Sequence, residues 1–323
     1  MECFEKKITE LRQIIDRQLK PLLSERVLIA DAPFYDNIGD LLIWQGALDY
    51  LHENGHKLIG SYGARFFPFP DLDKDVTILM MGGGNFGDLW RPLQDNRLEI
   101  IARYPENRIV MLPQSICYQT PDLINHDAGL MARHSDLHLF ARDRASHDIL
   151  REHFSRNHVY LAPDMAFYVN SGLLAPYRNH DEGKTLFLLR NDKELPPSAP
   201  TALPEADVTS DWPVPERTKR LIRNLKRARR ISRDFRSHGL RLRPIESAIT
   251  FCGNRFIRNT MTRKGCEFLR PFSRIVTTRL HPMILSLLLH KPVEYIDNTY
   301  GKISAFAETW LHDFPPVKAY GRD

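Results

Sequence analysis

Residues 274–297 read RIVTTRLHPMILSLLLHKPVEYID and contain two complete changes of secondary structure. The first five residues are mostly β-branched and apolar, which is typical of a buried strand. The leucine-rich run after Pro282 predicts a helix, because proline in a first turn removes an N–H that has no partner there. Pro292 ends this helix, and the last five residues predict another strand. Arg279 and His281 therefore lie where the first of these strands gives way to the helix.

The same alternation of strands and helices recurs along the chain. Apolar runs that predict further strands occur at 26–30, 56–61, 76–81, 108–112, 137–141, 159–161 and 185–189. Strands that alternate with helices pair mostly in parallel, and helices cover both faces of their sheet. We therefore predict an α/β fold, in which ligands bind beyond the carboxyl ends of the strands.

The length of 323 residues predicts two domains. We place an N-terminal domain at 1–172, beginning with an amphipathic helix, and a C-terminal domain at 184–312. Within the second domain, 195–215 contains six prolines and predicts a loop. The tail at 313–323 is expected to fold back over the first domain.

Composition narrows the class of protein. No apolar run approaches the roughly 18 residues that cross a bilayer, and the first residues lack the apolar core of a signal peptide. The four cysteines are scattered without metal-type spacing, which favours reduced thiols. We predict a cytoplasmic protein, and leave peripheral association with the inner face of the cell membrane open.

A basic block at 217–243 holds twelve Lys or Arg residues against one acid, Asp234, and is predicted to be helical. Three interpretations remain open. The block is a solvated helix face, a docking site for an anionic membrane or a substrate diphosphate, or a nucleic-acid surface. No recognisable nucleic-acid module surrounds it, and aromatic residues are not interleaved with its arginines, so we predict no nucleic-acid partner.

Polar residues follow several predicted strands. Asn37-Ile-Gly-Asp40 follows the first strand, and we predict that Asp40 caps a helix over 40–51. Gly82 to Asp88 contains three consecutive glycines, which predict positive φ angles or the close approach of a backbone or ligand. The spacing matches neither a dinucleotide fingerprint nor a P-loop. Each stretch fits a structural turn as well as a ligand site.

Three more strands end in Pro113-Gln114-Ser115, Arg142-Asp143 and Pro163-Asp164. Since the carboxyl ends of parallel strands share one edge of a sheet, these loops are expected to assemble a pocket.

Taken together, the pattern resembles the polysaccharide pyruvyl transferase family, of the bacterial exopolysaccharide ketal-pyruvate transferase type. The resemblance rests on motifs in one order along most of the chain: Asn37 to Asp40, Gly82 to Asp88, Pro113 to Ser115, Arg142-Asp143 with Ser146, Pro163-Asp164, Arg279-Leu280-His281, and Asp297-Asn298 before Tyr300-Gly301-Lys302. It implies two Rossmann-like domains facing across a cleft, in a GT-B-like arrangement. The N-terminal domain would then lie on the acceptor side and the C-terminal domain on the donor side.

The resemblance also implies the reaction. Phosphoenolpyruvate is the donor, a sugar of a lipid-linked exopolysaccharide repeat unit is the acceptor, and the products are a pyruvate ketal and phosphate. Donor binding and catalysis fall on Arg279, Leu280 and His281, with Arg190 as a further donor ligand. The chain departs from the family pattern at Pro282, where glycine is usual, and at Thr278, where an acid is frequent. The second departure puts in doubt a carboxylate there that orients His281.

The residue types suit this chemistry independently. Phosphoenolpyruvate carries a carboxylate and a phosphate, and arginine matches both geometrically, so Arg279 and Arg190 are assigned as anion clamps. His281 is assigned as general acid and base, and Lys302 as a phosphate contact. A purely structural role stays open for both.

Five polar residues are assigned to acceptor binding or positioning: Asn37, Asp40, Asn85, Gln114 and Arg142. We predict no metal site and no cofactor besides the co-substrate. Two other functions remain open, a glycosyltransferase of this fold that uses a nucleotide-sugar donor and a non-enzymatic protein that binds anionic surfaces.

Overall fold

The computed structural model describes residues 2–178, 182–192, 194–237 and 243–321. The side chains of residue 65, residues 233–237 and residue 243 lie outside the description. Within these limits the chain forms two parallel β-sheets with helices packed around them. The predicted α/β class with parallel strands is confirmed, and the arrangement is consistent with Rossmann-like architecture.

The first sheet has seven strands among the described residues. In chain order they are β1 (Arg26–Ala32), β2 (Lys57–Gly63), β3 (Thr77–Met80), β4 (Gly83–Gly87), β5 (Ile109–Cys117), β6 (Leu137–Ala141) and β7 (His158–Leu161). They lie in the order β2-β1-β3-β5-β6-β7, and β4 pairs with the far end of β5. All pairs are parallel, so the carboxyl ends meet at one edge.

Six helices accompany this sheet within the described residues. They are α1 (Glu2–Leu19), α2 (Ile38–Glu53), α3 (Arg91–Arg103), α4 (Pro121–Met131), α5 (Arg144–His153) and the short α6 (Ser171–Leu174). α2 is apolar almost all round and is buried over most of its surface, including Trp44. A helix of that composition belongs inside the protein, between other elements.

The second sheet has five parallel strands in the described part of the chain. They are β8 (Lys184–Leu188), β9 (Val208–Ser210), β10 (Phe272–Thr277), β11 (Val293–Tyr295) and β12 (Val317–Ala319), in the order β12-β11-β10-β8-β9. The accompanying helices are α7 (Glu216–Ser237), α8 (Arg243–Cys252), a π-helical turn (Gly253–Ile257), α9 (Arg258–Leu269), α10 (Leu280–Leu288) and α11 (Lys302–Trp310).

Helices from both sheets share one hydrophobic core. α2 packs against α9 and α10, and a Cβ added to Gly265 of α9 would lie 2.7 Å from Ile38. On the other side of α2, a Cβ at Gly46 would lie 1.9 Å from the carbonyl oxygen of Met165. Glycine at these two positions lets α2 lie close to backbone and side chains that come from both halves of the chain.

Two predictions about loops after strands are wrong. α2 begins at Ile38, and its cap is Asn37, whose side chain accepts a hydrogen bond from the Gly39 N–H, so Asp40 lies in the first turn. The positive φ angles predicted for the glycine run are confirmed at Gly83 (125°) and Gly87 (122°), but residues 83–87 form strand β4 beside β5 instead of a turn. β5 in turn continues through Pro113-Gln114-Ser115 to Cys117.

The predictions for the second half also need correction. The proline-rich loop at 195–215 contains the short strand β9. The tail contacts α1 of the predicted first domain, because Asp313 lies 2.9 Å from Lys7 and the Phe314 ring packs edge to face on Phe4, but its strand β12 pairs with β11 of the second sheet. The basic block forms α7 and the start of α8, and its residues 238–242 lie outside the described residues.

Candidate active site

A cavity of about 930 Å³ lies at the carboxyl ends of strands from both sheets. Residues from the first sheet that line it include Asn37, Asn85 and Arg142, and those from the second include Arg190 and Arg279. Helix α7 contributes another part of the wall. The predicted assembly of loops at strand ends is therefore present in the structure.

His281, the second residue of α10, lies between elements of the two sheets. Its Nε2 is 3.5 Å from Oδ2 of Asp164, which follows β7. On its other side the ring packs against the first turn of α2, where a Cβ at Gly39 would lie 2.3 Å from Nδ1. The side chain is 12% exposed and lines the cavity. His281 comes from the second half of the chain, and its position depends on Gly39 and Asp164, which both come from the first half.

Asp164 is fully buried and anchored on several sides. It accepts hydrogen bonds from Nη1 of Arg142 at 2.8 Å and from the Ala166 N–H at 2.9 Å. Burial alone would raise the pKa of Asp164, but His281 and Arg142 outweigh burial and lower that pKa to about 2. Asp164 is therefore an anion at neutral pH and faces His281, as an acid at position 278 would have been expected to do.

Thr278 itself has a different task in the structure. Its hydroxyl accepts a hydrogen bond of 2.8 Å from the backbone N–H of Arg190. The residue therefore joins the ends of β8 and β10.

Asp40 provides a second carboxylate near His281. It accepts hydrogen bonds from the Tyr35 hydroxyl at 2.9 Å and from Nδ2 of Asn37 at 3.0 Å. Burial raises the pKa of Asp40, against the opposing influence of His281 and Arg142. Asn37 uses both ends of its amide within this turn, because its oxygen caps α2.

Arg142 and Lys302 meet beside Gly84. Arg142 donates from Nε to the Ser115 hydroxyl at 2.9 Å, and its Nη2 has no hydrogen bond to any described residue. A Cβ at Gly84 would lie 3.3 Å from that Nη2 and 3.6 Å from Nζ of Lys302. Lys302 binds Glu194, and burial lowers the pKa of the lysine to about 8. We call Asp40, Arg142, Asp164, His281 and Lys302 the junction cluster.

Arg190 and Arg279 occupy a different environment, which we call the carboxylate-bound pair. Arg190 is 3% exposed, and its guanidinium contacts Asp192 at 2.8 Å and Glu194 at 2.9 Å. Arg279 is 16% exposed and donates to Asp211 at 2.6 and 2.7 Å. Arg279 keeps Nη1 without a hydrogen bond to any described residue.

The amino end of α10 is another polar feature of the cavity wall. Arg279 is the residue before the helix, and its side chain does not cap it. Leu280 and His281 form the first turn, where backbone N–H groups have no partner within a helix. Such an end attracts anions.

Two predicted acceptor residues are placed differently. Asn85, on β4, lines the cavity, and its buried Oδ1 has no hydrogen-bond partner among the described residues. Gln114 is 1% exposed, and its Oε1 accepts from Nη1 of the buried Arg97. Arg97 also binds Asp31, so Gln114 belongs to a polar network inside the first sheet and does not line the cavity.

Sequence reasoning missed the partners of the predicted residues. Asp164 was recognised only as part of a motif, and Gly39 only as part of a turn. Asp164 could have been predicted as a site residue because it follows a strand, as Arg142 does. The aromatic residues Trp90 and Trp212 of the cavity wall carried no sequence signal.

A group that could hold a metal lies away from the cavity, at the amino ends of β6 and β7. The ligand atoms of Asp136, His138 and His158 lie within 4.8 Å of one another. One oxygen of Asp136 contacts His138 at 2.7 Å, and the other accepts from Arg108 at 3.0 Å. The two histidine rings stack. These contacts already engage the carboxylate.

A family model described as polysaccharide pyruvyl transferase matches residues 37–300. The chain belongs to the polysaccharide pyruvyl transferase family. The matched range starts at the cap of α2 and includes every member of the junction cluster except Lys302. The resemblance inferred from the sequence motifs is confirmed, and the protein is an enzyme of this family.

Relatives of this transferase agree with that assignment. A Bacillus subtilis protein named as the pyruvyl transferase EpsO is 31% identical over 323 residues, covering 98% of this chain and 94% of its own. Pyruvyl transferase 1 of Schizosaccharomyces pombe is 28% identical over 259 residues, covering 75% of this chain and 57% of its own.

A solved structure supports the fold of the transferase. The crystal structure of an uncharacterized Klebsiella pneumoniae protein matches with a TM-score of 0.62 and 20% identity, covering 95% of this chain and 97% of that chain. In the described part of the transferase, every helix is too short or too polar to cross a membrane.

Proposed function

We propose that this transferase moves the enolpyruvyl group of phosphoenolpyruvate onto a sugar of a lipid-linked exopolysaccharide repeat unit, forms a pyruvate ketal and releases phosphate. The observation that carries the proposal is the position of His281. It lies beside the uncapped end of α10 and near Arg142 and Lys302, so a proton donor adjoins two cationic regions.

The two cationic regions suit the two anionic groups of the donor. The end of α10 with Nη1 of Arg279 forms one, and Nη2 of Arg142 with Nζ of Lys302 forms the other. A carboxylate and a phosphate on one small molecule require two such sites. Arg190 also lines the cavity, where it can add a further contact to the donor, and it holds Asp192 3.0 Å from Arg279.

The reaction follows from these positions. His281 protonates the methylene carbon of the donor, and one sugar hydroxyl adds to C2. A second hydroxyl then displaces phosphate from C2 and closes the ketal ring. The proton of the first hydroxyl restores the proton that His281 gave to the new methyl group, and the proton of the second hydroxyl leaves with the phosphate. Asp164 stabilises the protonated imidazole, and no metal is required by this balance.

The acceptor sugar is assigned to the first-sheet side of the cavity. The unpartnered Oδ1 of Asn85 accepts a hydrogen bond from a sugar hydroxyl, and Asp40 and Asn37 shape the same wall. Under this proposal the sheets belong to two domains, 1–172 and 184–312, that face each other across the cavity, and the tail strand β12 extends the second domain. The enzyme then works in the cytoplasm at the inner membrane face.

The competing enzymatic function is a glycosyltransferase with a nucleotide-sugar donor. Thermal unfolding with phosphoenolpyruvate, UDP-sugars and GDP-sugars separates the two. A ligand present at 100 times its dissociation constant stabilises the folded state by about 2.7 kcal/mol, and we expect this only with phosphoenolpyruvate. Stabilisation by a sugar nucleotide alone would overturn the proposal. Family membership argues against the non-enzymatic alternative.

A further inference from the structure

The described part of the basic block forms α7, whose two faces differ in chemistry. Its exposed face carries four arginines at helical spacing and one apolar side chain, and these residues are Arg220, Arg223, Arg227, Arg230 and Ile231. Ile231 is 49% exposed. On the opposite face Ile222 and Leu225 are buried in the core and line the cavity.

The neighbouring α8 and the π-helical turn add exposed aromatic residues. Phe251 is 60% exposed and Phe256 is 50% exposed. Their rings contact each other edge to face at 5.7 Å, so they form one apolar projection. Arg255 lies between them in sequence and is also exposed. Exposing two phenylalanines to water is unfavourable, which indicates that this projection meets another surface.

This region adjoins the cavity. The Arg229 guanidinium lies over the Phe66 ring, 5.4 Å from its centroid. A Cβ at Gly253 would lie 2.7 Å from the Phe34 ring. Both phenylalanines line the cavity. A molecule held at the outer face of α7 and α8 is therefore next to the cavity wall.

We propose that α7, α8 and the π-helical turn dock on an anionic lipid bilayer. Phe251 and Phe256 insert at the acyl-chain boundary, and the arginines of α7 bind lipid headgroups. Charge complementarity selects this occupant, because the basic block holds twelve cationic residues against one acid. An aromatic pair with an exposed isoleucine beside a basic helix is the composition of interfacial segments.

The docking deepens the proposed function, since a lipid-linked acceptor would reach the cavity from this surface. The docking rests on the proposed function only for its biological role, which is to bring the acceptor to the cavity. Binding to lipid needs no donor and no catalytic residue, so the two proposals fail separately.

Cosedimentation of the full chain with vesicles tests the docking. The vesicles contain phosphatidylglycerol mixed with phosphatidylcholine, or phosphatidylcholine alone. We expect binding only to the anionic vesicles. Replacing Arg227 and Arg230 by Glu weakens it roughly 30-fold or more, equivalent to about 2 kcal/mol from two basic residues near the surface. Phe251→Ser with Phe256→Ser weakens it about tenfold or more.

The matched control is Arg151→Glu with Arg156→Glu, at and just after the end of α5 near β7, the opposite edge of the first sheet from β2. This control makes the same change in net charge and should bind like the parent, and thermal unfolding shows that every variant is folded.

Absence of binding by the parent, or an equal loss in the control, overturns the proposal. So does a parent dimer that the phenylalanine changes convert to a monomer, because a second copy of the chain then covers the surface. Phosphoenolpyruvate failing to stabilise a protein that still binds vesicles would contradict only the donor assignment.

Discussion

The junction cluster and the carboxylate-bound pair contain the same kinds of residues and differ in how completely they are neutralised. Nε and Nη2 of Arg190 donate to Asp192, and Nη1 lies 2.9 Å from Glu194 in an ion pair without hydrogen-bond geometry. Arg142 leaves Nη2 facing the cavity, and His281 has a carboxylate only at 3.5 Å. A buried ion pair that is complete stabilises a local arrangement, whereas a cation with an open donor can bind a ligand. The comparison therefore predicts a mainly structural role for Arg190 and a catalytic role for the junction cluster, and the variants below test that prediction.

The largest expected effect separates these two regions directly. His281→Ala should reduce phosphate release from phosphoenolpyruvate about a thousandfold, because it removes the general acid, and should leave the melting temperature nearly unchanged. Arg190→Ala should instead destabilise the fold by roughly 3 kcal/mol, since it leaves buried carboxylates unpaired. An Arg190→Ala protein with normal melting and a greatly raised donor KM would reverse the comparison.

The next effect concerns Gly39, against which the imidazole of His281 packs. Gly39→Ala places a methyl group against the His281 ring, which must move, and we expect a loss of kcat of about 100-fold in a folded protein. Gly129→Ala is the matched control, because nothing lies within 4 Å of a Cβ at that position of α4. The control should keep full activity and gain about 0.5 kcal/mol or more of stability. Equal activity of the two variants would remove the argument for His281.

A third test uses the carboxylate at the centre of the junction cluster. The pKa of Asp164 is lowered from 3.8 to about 2, so its stabilisation is fully present above pH 3.8 and is lost as the pH falls through about 2. Asp164→Asn should therefore unfold about 2 kcal/mol more easily at pH 7, and the difference should shrink in acid. Urea unfolding at several pH values measures it. Asp148→Asn, at a side chain that is 80% exposed, should show no such trend.

The smallest effect is a pH dependence of donor binding. The pKa of Lys302 is lowered from 10.5 to about 8 by burial, so the lysine loses its charge above pH 8 in the folded protein. The unfolded chain keeps the proton up to about 10.5, and the contribution of Lys302 to stability therefore rises with pH across that window. We expect the donor KM to rise above pH 8, and Lys302→Arg to abolish that rise, because arginine stays charged. A parent KM that is constant to pH 9.5 would exclude Lys302 from donor binding.

Local sequence patterns were sufficient for nine of the twelve strands among the described residues, all but β4, β9 and β12, and for the position of the Arg279-Leu280-His281 segment at a strand end. β6 was predicted at its observed bounds because four of its five residues are apolar and charged residues follow them. The segment 83–87 was not predicted as a strand, because glycines carry no β propensity and its pairing with β5 is a tertiary contact.

The partners within the site were beyond local patterns for the same reason. Asp164 and His281 are more than a hundred residues apart, and nothing in either neighbourhood specifies the other. Gln114, like Arg142, belongs to a motif predicted at the end of a strand, yet its amide points towards Arg97 inside the sheet. A position at a strand end gives a residue access to the cavity edge, and the direction of its side chain depends on the whole fold.

Under the proposed role of His281, the packing of its imidazole from α10 against the first turn of α2 makes activity depend on how the two halves of the chain assemble. Neither half of the polypeptide would then hold a working proton donor alone. The second half supplies the ring of His281, and the first half supplies Gly39, against which the ring packs, and the carboxylate of Asp164. Weakening the contacts between the two halves should therefore inactivate the enzyme while both sheets are still intact. Loss of turnover on heating should therefore precede loss of the secondary-structure signal.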